Sequence, residues 1–303
     1  MRVLILGGTG MLGHRLWMDL SPAHEVHVAI RGQAGQVPAR DELPRHRLHA
    51  GVDAARFDRV IETIQLVQPD VLVNCVGVVK QSPVAQDPAP SLELNSLLPH
   101  RLAQACQAIP CRLIQISTDC VFSGAKGSYS ESDLPDPVDF YGHSKLLGEV
   151  SGPGCLTLRT SFVGRELRDG RGLLEWFLAQ HDWIRGYARA VFSGLTTAEL
   201  ARLIHQRILP RDDLQGIYHV AGAAISKYDL LVLAREAFGK TIEIERDTEF
   251  VCDRSLNGAR FAEATGYSAP DWPDMIGEAA RDSDFYEALR GETAEGRRKA
   301  MIR

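Results

Sequence analysis

Tyr141 and Lys145 stand four residues apart in FYGHSKLLGE, a segment whose apolar spacing reads as a helix, so a phenol and an ammonium share one helical face. That is an arrangement for moving a proton. A free tyrosine titrates at about 10, and a cation a few ångströms away favours the phenolate, so the spacing predicts a phenol drawn toward useful acid chemistry at neutral pH. Thr118 ends the apolar run LIQIS, where a strand would carry its hydroxyl to the same place and let it hold a substrate oxygen against the phenol. A Tyr-x-x-x-Lys pair is common by chance, so its weight depends on what else the chain brings to that point.

The N-terminus brings a dinucleotide cradle. Arg2 to Leu6 is an apolar strand, GGTGMLG follows at once with Gly7, Gly10 and Gly13 in G-x-x-G-x-x-G spacing, and Met11 to Leu20 reads as a helix. Strand, glycine turn and helix together set bare N–H groups at a helix N-terminus, where a pyrophosphate is stabilised; glycine keeps side chains out of its way. Thr9, Met11 and Leu12 fill the turn between those glycines and count with the cofactor residues. Glu25 to Ile30 is a second strand that ends in Arg31. A carboxylate there would bond a ribose 2′-OH and repel a 2′-phosphate, so arginine points to NADP(H), with NAD(H) left open and a solvated surface arginine as the plain alternative.

Further elements must flank this cradle. Arg47 to Gly51 is expected as a third strand, followed by Asp53 against the adenine ring. Asp70 to Gly77 reads as a buried parallel strand whose end, Cys75, Val76 and Gly77, passes beside the cofactor. Lys80 and Gln81 lie in a loop at substrate level, and Asn95, in the helix after it, is placed with the cofactor residues. Beyond the central stretch come a strand at Cys155 to Thr160, a helix at Gly172 to Gln180 and a strand at Ala188 to Phe192 returning to the sheet. Thr196 and Glu199 form a capping box, Gly216 to Gly222 is a strand, and Ser226 caps KYDLLVLAREAFG. The alternation predicts a doubly wound parallel α/β sheet.

Composition narrows the function classes. The 303 residues are 45% hydrophobic and 24% charged with a net charge of −5, an ordinary globular make-up with no nucleic-acid footprint. Six cysteines, at 75, 106, 111, 120, 155 and 252, show no metal or CxxC spacing and fit reduced thiols in a cytoplasm. No apolar run is long enough to span a bilayer and no signal h-region precedes the first strand, so a cytoplasmic protein without a membrane partner is expected. No carboxylate cluster has ligand spacing, so no metal site is expected; oligomeric state is unreadable, with a homodimer left open.

With GGTGMLG, Thr118 and Tyr141/Lys145 assembled, the chain resembles the extended short-chain dehydrogenase/reductases, and within them the dTDP-4-dehydrorhamnose reductase group. That group's ISTDYVFDG and YGxSKxxGE signatures match ISTDCVFSG and YGHSKLLGE, and the likeness runs on through LRTSFVG, SGLTTAELARLI and GIYHVAG, over roughly residues 1 to 282. The resemblance implies a Rossmann domain over 1–160 plus about 188–221, a smaller C-terminal substrate-binding domain over about 161–187 and 222–290, and a frayed tail at 291–303. It implies an NADPH-dependent reductase of a 4-keto-6-deoxy nucleotide sugar, with Thr118, Tyr141 and Lys145 as catalytic trio. Hydride goes to C4, Tyr141 gives the proton, Lys145 holds the nicotinamide ribose, and Thr118 positions the keto oxygen. Phe162 would line the sugar site, beside Lys80 and Cys120. Two features depart from the group: Cys120 replaces its tyrosine, and NCVGVVKQ replaces its N-A-A-A-x-T run. Related dehydratases carry Glu at the Cys120 position, so dehydration is not expected. Cys120 also resembles the cysteine of GDP-fucose synthase, an epimerase-reductase, but DGRGLL lacks the matching histidine, so packing is the expected role. A second reading comes from the methionine adenosyltransferase regulatory subunit, which resembles the same family and acts without turnover; an intact trio argues against it.

Overall fold

The computed structural model describes residues 1–37, 41–81, 87–167 and 170–289. The predicted fraying of the tail from Gly291 lies outside them. β1 (Arg2–Leu6) is buried along almost its whole length, as a strand covered on both faces must be. β2 (Glu25–Ile30), β4 (Val71–Asn74), β5 (Arg112–Ile116) and β6 (Cys155–Arg159) follow in much the same character, while the short edge strand β3 (Leu48–Ala50) is half-buried to exposed. The chain continues through β7 (Phe162–Val163), β8 (Trp183–Phe192), β9 (Leu195–Thr196), β10 (Gly216–His219), β11 (Ile225–Ser226) and β12 (Glu243–Asp253).

Seven strands form one sheet in the order β10-β6-β5-β4-β1-β2-β3, parallel throughout. The order reverses between β1 and β4, the crevice where open α/β sheets bind ligands. One face of the sheet packs under the helix Met11–Leu20 through Leu12, Leu16 and Leu20, in a core that runs on into the C-terminal part through Phe192, Leu230 and Ile244. The other face is closed by Val60 and Ile64 of the helix Phe57–Val67 and Leu102 of the helix Leu98–Gln107.

A second, three-stranded sheet has the order β11-β8-β12. The expected return of Ala188–Phe192 to the main sheet is therefore corrected. Those residues pair with Val251–Asp253 of β12 and with β11, a long-range partnership that local pattern cannot disclose. The main sheet takes β10 instead, beside β6. Ser226 caps the helix Lys227–Ala237 as expected, its hydroxyl accepting from the Asp229 amide at 3.0 Å. The capping box at Thr196 is half made. Thr196 accepts from the Glu199 amide at 3.3 Å, but the Glu199 carboxylate turns to Arg202 and to the Tyr267 hydroxyl. No helix among the described residues is long and apolar enough to cross a membrane.

Candidate active site

The glycine turn has the form a phosphate cradle needs. Gly7 adopts φ +80°, which favours glycine, and its N–H and that of Gly8 both donate to Ala29 O at 3.1 Å, locking the turn to β2. Gly13 stands against the turn so closely that a Cβ there would fall inside 3.0 Å of Gly7 O. The helix Met11–Leu20 starts at Gly10 with no side-chain cap, so its first-turn amides face the crevice without an internal partner. A cleft of about 200 Å³ opens there, lined by Gly7, Thr9, Gly10, Arg31, Asp53 and Cys75–Gly77, eight of the residues singled out from the sequence. These residues fit a dinucleotide: bare backbone of the glycine turn and an exposed Arg31 line one cleft together with apolar side chains such as Val52 and Leu94. Leu12 turns into the core instead, and Met11 reaches toward Gly172.

Asn95 does a different job from the one expected. It is buried in a π-helical turn, Leu92–Leu97, with Oδ1 accepting from Val78 N at 2.9 Å and Nδ2 donating to Val78 O and Ser144 Oγ at 3.1 and 3.0 Å. It ties the loop after β4 to the helix that carries Tyr141 and Lys145, and both amide hydrogens are used. Asn74 starts that loop by accepting from Val76 N at 3.1 Å while its amide donates to Gln115 on β5 at 2.8 Å.

The helix Phe140–Leu147 begins where Asp139 accepts from Gly142 N at 2.8 Å. Two close approaches fix it on the end of β5. A Cβ on Gly142 would fall inside 3.0 Å of Cys120 O, so only glycine lets the helix sit there, one residue beyond Tyr141. Lys145 Nζ donates to Ile116 O at 2.7 Å. Thr118 meets them from the strand side. Its hydroxyl accepts from Cys120 N at 3.1 Å, donates to Asp119 Oδ1 at 3.2 Å and faces the Tyr141 phenol. The three residues converge at the carboxyl edge of the parallel sheet.

Their electrostatics correct one expectation. The phenol of Tyr141 is pushed up, not drawn down: burial dominates, Cys120, Asp119 and Asp139 add to it, and the Thr118 hydroxyl pulls part of it back. Spacing showed the nearby cation but could not show burial. A raised phenol stays protonated at neutral pH, the state a proton donor needs. Burial lowers Lys145 to about 8, with Glu149 and Cys75 holding it up. Glu149, two residues past the end of the helix Phe140–Leu147, forms a buried ion pair with Arg159 at 2.7 Å. Burial pushes Cys120 up to about 12, so it rests as a thiol.

The other expected residues are scattered around this centre. Lys80 is half exposed and pairs with Asp139 at 2.7 Å. Phe162, in β7, is half-buried and packs on the main core. Sequence reasoning missed Asp119, Lys227 and Arg254. Asp119 is buried, its carboxyl pushed up by burial and held back by Lys227 and Arg254. The adjoining Thr118 was a signal for the first; nothing local marks the two cations.

The family model described as RmlD substrate binding domain matches residues 1–248. The chain belongs to that family. Among RmlD-family relatives, a dTDP-4-dehydrorhamnose reductase from Burkholderia thailandensis is 27% identical over 320 residues, 93% of this chain and 99% of its own. A probable low-salt glycan biosynthesis reductase from Haloferax volcanii is 31% identical over 168 residues, about half of each chain at 54%. A hypothetical dTDP-4-dehydrorhamnose reductase from Sulfolobus tokodaii superposes with a TM-score of 0.74 at 26% identity, over 90% of this chain and 98% of its own. The Bacillus anthracis dTDP-4-dehydrorhamnose reductase solved with NADP has the same fold, with a TM-score of 0.74 at 20% identity over 92% and 98% of the two chains. The expected extended short-chain dehydrogenase/reductase fold is thereby established.

Proposed function

We propose that this chain is a nicotinamide-dependent reductase of a 4-keto-6-deoxy nucleotide sugar, with NADP(H) preferred. One observation carries the reading: Thr118, Tyr141 and Lys145 lie past the carboxyl end of β5, with Lys145 Nζ beside Gly77, which lines the cleft at the glycine turn. The RmlD-family membership and the reductase relatives support it.

When bound, the nicotinamide supplies hydride to the carbonyl carbon. The chain's own residues handle the oxygen. Thr118 holds the keto oxygen by a hydrogen bond, and Tyr141, protonated because it is buried, gives its proton as negative charge grows there. Lys145 is charged at neutral pH and anchored on Ile116 O by one N–H, which leaves two for the ribose hydroxyls of the cofactor. Its charge also steadies the phenolate until solvent restores the proton. Arg31, which lines the same cleft, is the residue to meet a 2′-phosphate.

A non-catalytic reading is favoured by one comparison. The methionine adenosyltransferase 2 subunit beta of Rattus norvegicus is 33% identical over 150 residues, though these make up 49% of this chain and 41% of its own. A pure binding subunit has no use for a protonated phenol aimed at a threonine hydroxyl, and we favour the enzyme. The test is a panel of 4-keto nucleotide sugars mixed with protein and NADPH, read at the nicotinamide absorbance. Oxidation by one or more members is expected; tight NADPH binding with no oxidation across the panel would favour the binding subunit.

A further inference from the structure

Two histidines share a hydrogen bond at the edge of the main sheet. His27 of β2 and His49 of β3 stand on one face, with His27 Nδ1 3.0 Å from His49 Nε2 and the rings stacked at 5.3 Å between centroids. His27 Nε2 lies 3.1 Å from Glu25 Oε1, which also accepts from Arg2 Nε at 3.1 Å. A carboxylate can only accept, so His27 Nε2 carries a proton, and the state of Nδ1 decides what the pair can do. With His27 neutral, His49 Nε2–H donates to Nδ1. With His27 charged, Nδ1–H donates to a neutral His49. Both states keep the hydrogen bond. A second proton breaks it, because two N–H groups then point at one another and two like charges lie side by side.

The surroundings oppose that second proton. Arg2 on β1 already pairs with Glu25, and the turn ahead of β3 adds Arg45, His46 and Arg47, of which Arg47 also acts on Glu25. The helix Phe57–Val67, which closes this side of the sheet, pairs its charges locally, Asp58 with Arg56 at 3.7 Å and Arg59 with Glu62 at 2.9 Å. Burial, and after it His27, hold His49 below the usual imidazole range. The strand that this pair fastens is slight. β3 is the edge of the seven-stranded sheet and meets β2 over three residues, Leu48, His49 and Ala50. The chain leaves it through Gly51 N and Val52 N, which donate to Gly32 O and Ile30 O at 3.1 and 2.9 Å. Val52, Asp53 and Ala54 then line the cofactor cleft with Ala29 and Arg31. A strand with so few backbone hydrogen bonds opens easily, so a side-chain tie on it bears directly on that wall of the cleft.

We propose that His27 and His49 form a proton-operated tie on the edge strand: one shared proton fastens β3 to β2, and a second, taken up in acid, releases β3 and weakens dinucleotide binding. The effect on the cofactor rests on the dinucleotide reading of the cleft given above. The opening of β3 does not depend on it.

The experiment compares the full wild-type chain with His49→Gln, whose amide can donate to His27 Nδ1 but never gains a charge, and with His27→Asn, which keeps an acceptor near the Nδ1 position. Amide hydrogen exchange, corrected for the intrinsic pH dependence of exchange, follows residues 48–54 at about pH 7.5 and about pH 5. Calorimetric titration with NADP⁺ is run at the same two values. On acidification wild type is expected to lose about tenfold more protection over 48–54 than either variant, the scale of one hydrogen bond. Its NADP⁺ affinity should fall severalfold further than theirs; titration of the cofactor's own phosphate is common to all three proteins and cancels in the ratio. Equal loss of protection in wild type and both variants overturns the tie. Unequal protection with equal loss of NADP⁺ affinity overturns its coupling to the cleft. If no protein binds NADP⁺ at either pH, the dinucleotide reading falls, and the exchange measurement still decides whether the second proton opens β3.

Discussion

Replacing Glu149 by Gln tests how the site keeps Lys145 charged. Glu149 lies just past the end of the helix that carries Lys145, and its carboxylate accepts from Ser117 Oγ at 2.7 Å and from Arg159 Nε and Nη2 at 2.8 and 2.7 Å. Burial lowers Lys145 to about 8, and Glu149 heads the groups that hold it up. An opposite charge close enough to shift a pKa lies within about 4–6 Å, and two charges about 6 Å apart at an effective dielectric of about 20 interact by about 2.8 kcal/mol. Arg159 shares the carboxylate, so we take about half of that, on the order of 1.4 kcal/mol or about one pH unit. The basic limb of kcat/KM, which needs a charged Lys145, should therefore move down by about one pH unit in Glu149→Gln. Nicotinamide fluorescence titrations should lose cofactor affinity over the same range. Ser117→Ala removes the 2.7 Å hydrogen bond and keeps the charge, so its limb should stay at the wild-type position. Arg159 is left buried without a carboxylate in Glu149→Gln, a loss of about 3–5 kcal/mol, so thermal melts must first show that the variant folds. A folded Glu149→Gln whose limb stays at the wild-type pH refutes the electrostatic argument.

Three further outcomes follow from the geometry. Gly13→Ala places a Cβ inside 3.0 Å of Gly7 O, so the helix must shift off the turn. A stability loss of about 1–3 kcal/mol is expected, with weaker NADP(H) binding by titration. Arg31→Asp replaces the cation lining the cleft with an anion and should swing the ratio of kcat/KM for NADPH over NADH toward NADH; an unmoved ratio removes the 2′-phosphate role. His14 is wholly buried, donating through Nδ1 to Gly10 O and accepting at Nε2 from the Tyr286 hydroxyl, both at 2.8 Å, and burial lowers it to about 4. The unfolded chain protonates His14 first, so its contribution is present above the unfolded pKa of about 6.5 and is lost as pH falls toward 4, by up to roughly 3 kcal/mol. Tm of His14→Gln should accordingly fall less than wild type between pH 7 and 4.5, and equal falls would exclude that role.

The parts of this fold that the sequence discloses are those where one local rule decides. Buried apolar runs fix β1, β4 and β5, and the glycine spacing fixes the cradle. The Tyr141/Lys145 pair and Thr118 were readable because helix and strand periodicities put them at one edge. What stayed hidden depends on long-range pairing. β8 reads like another central strand but finds its partner in β12, and that pairing delivers Arg254 to Cys120. Lys227 carries no motif and matters only because Phe192 and Asp119 surround it. Asn95 looks like a ligand from its type alone, whereas its amide is spent on Val78 and Ser144. The Tyr141 phenol is shifted opposite to expectation because burial dominates, with Cys120, Asp119 and Asp139 adding to it, and only the Thr118 hydroxyl offsets it.

The most direct test of the central claim is a single-turnover experiment: enzyme loaded with NADPH is mixed rapidly with a 4-keto nucleotide sugar, and wild type is compared with Tyr141→Phe. If Tyr141 gives the proton, the phenylalanine variant binds NADPH as wild type does and its oxidation rate falls by about 10²–10⁴-fold. A Tyr141→Phe protein that oxidises NADPH at the wild-type rate would contradict the account.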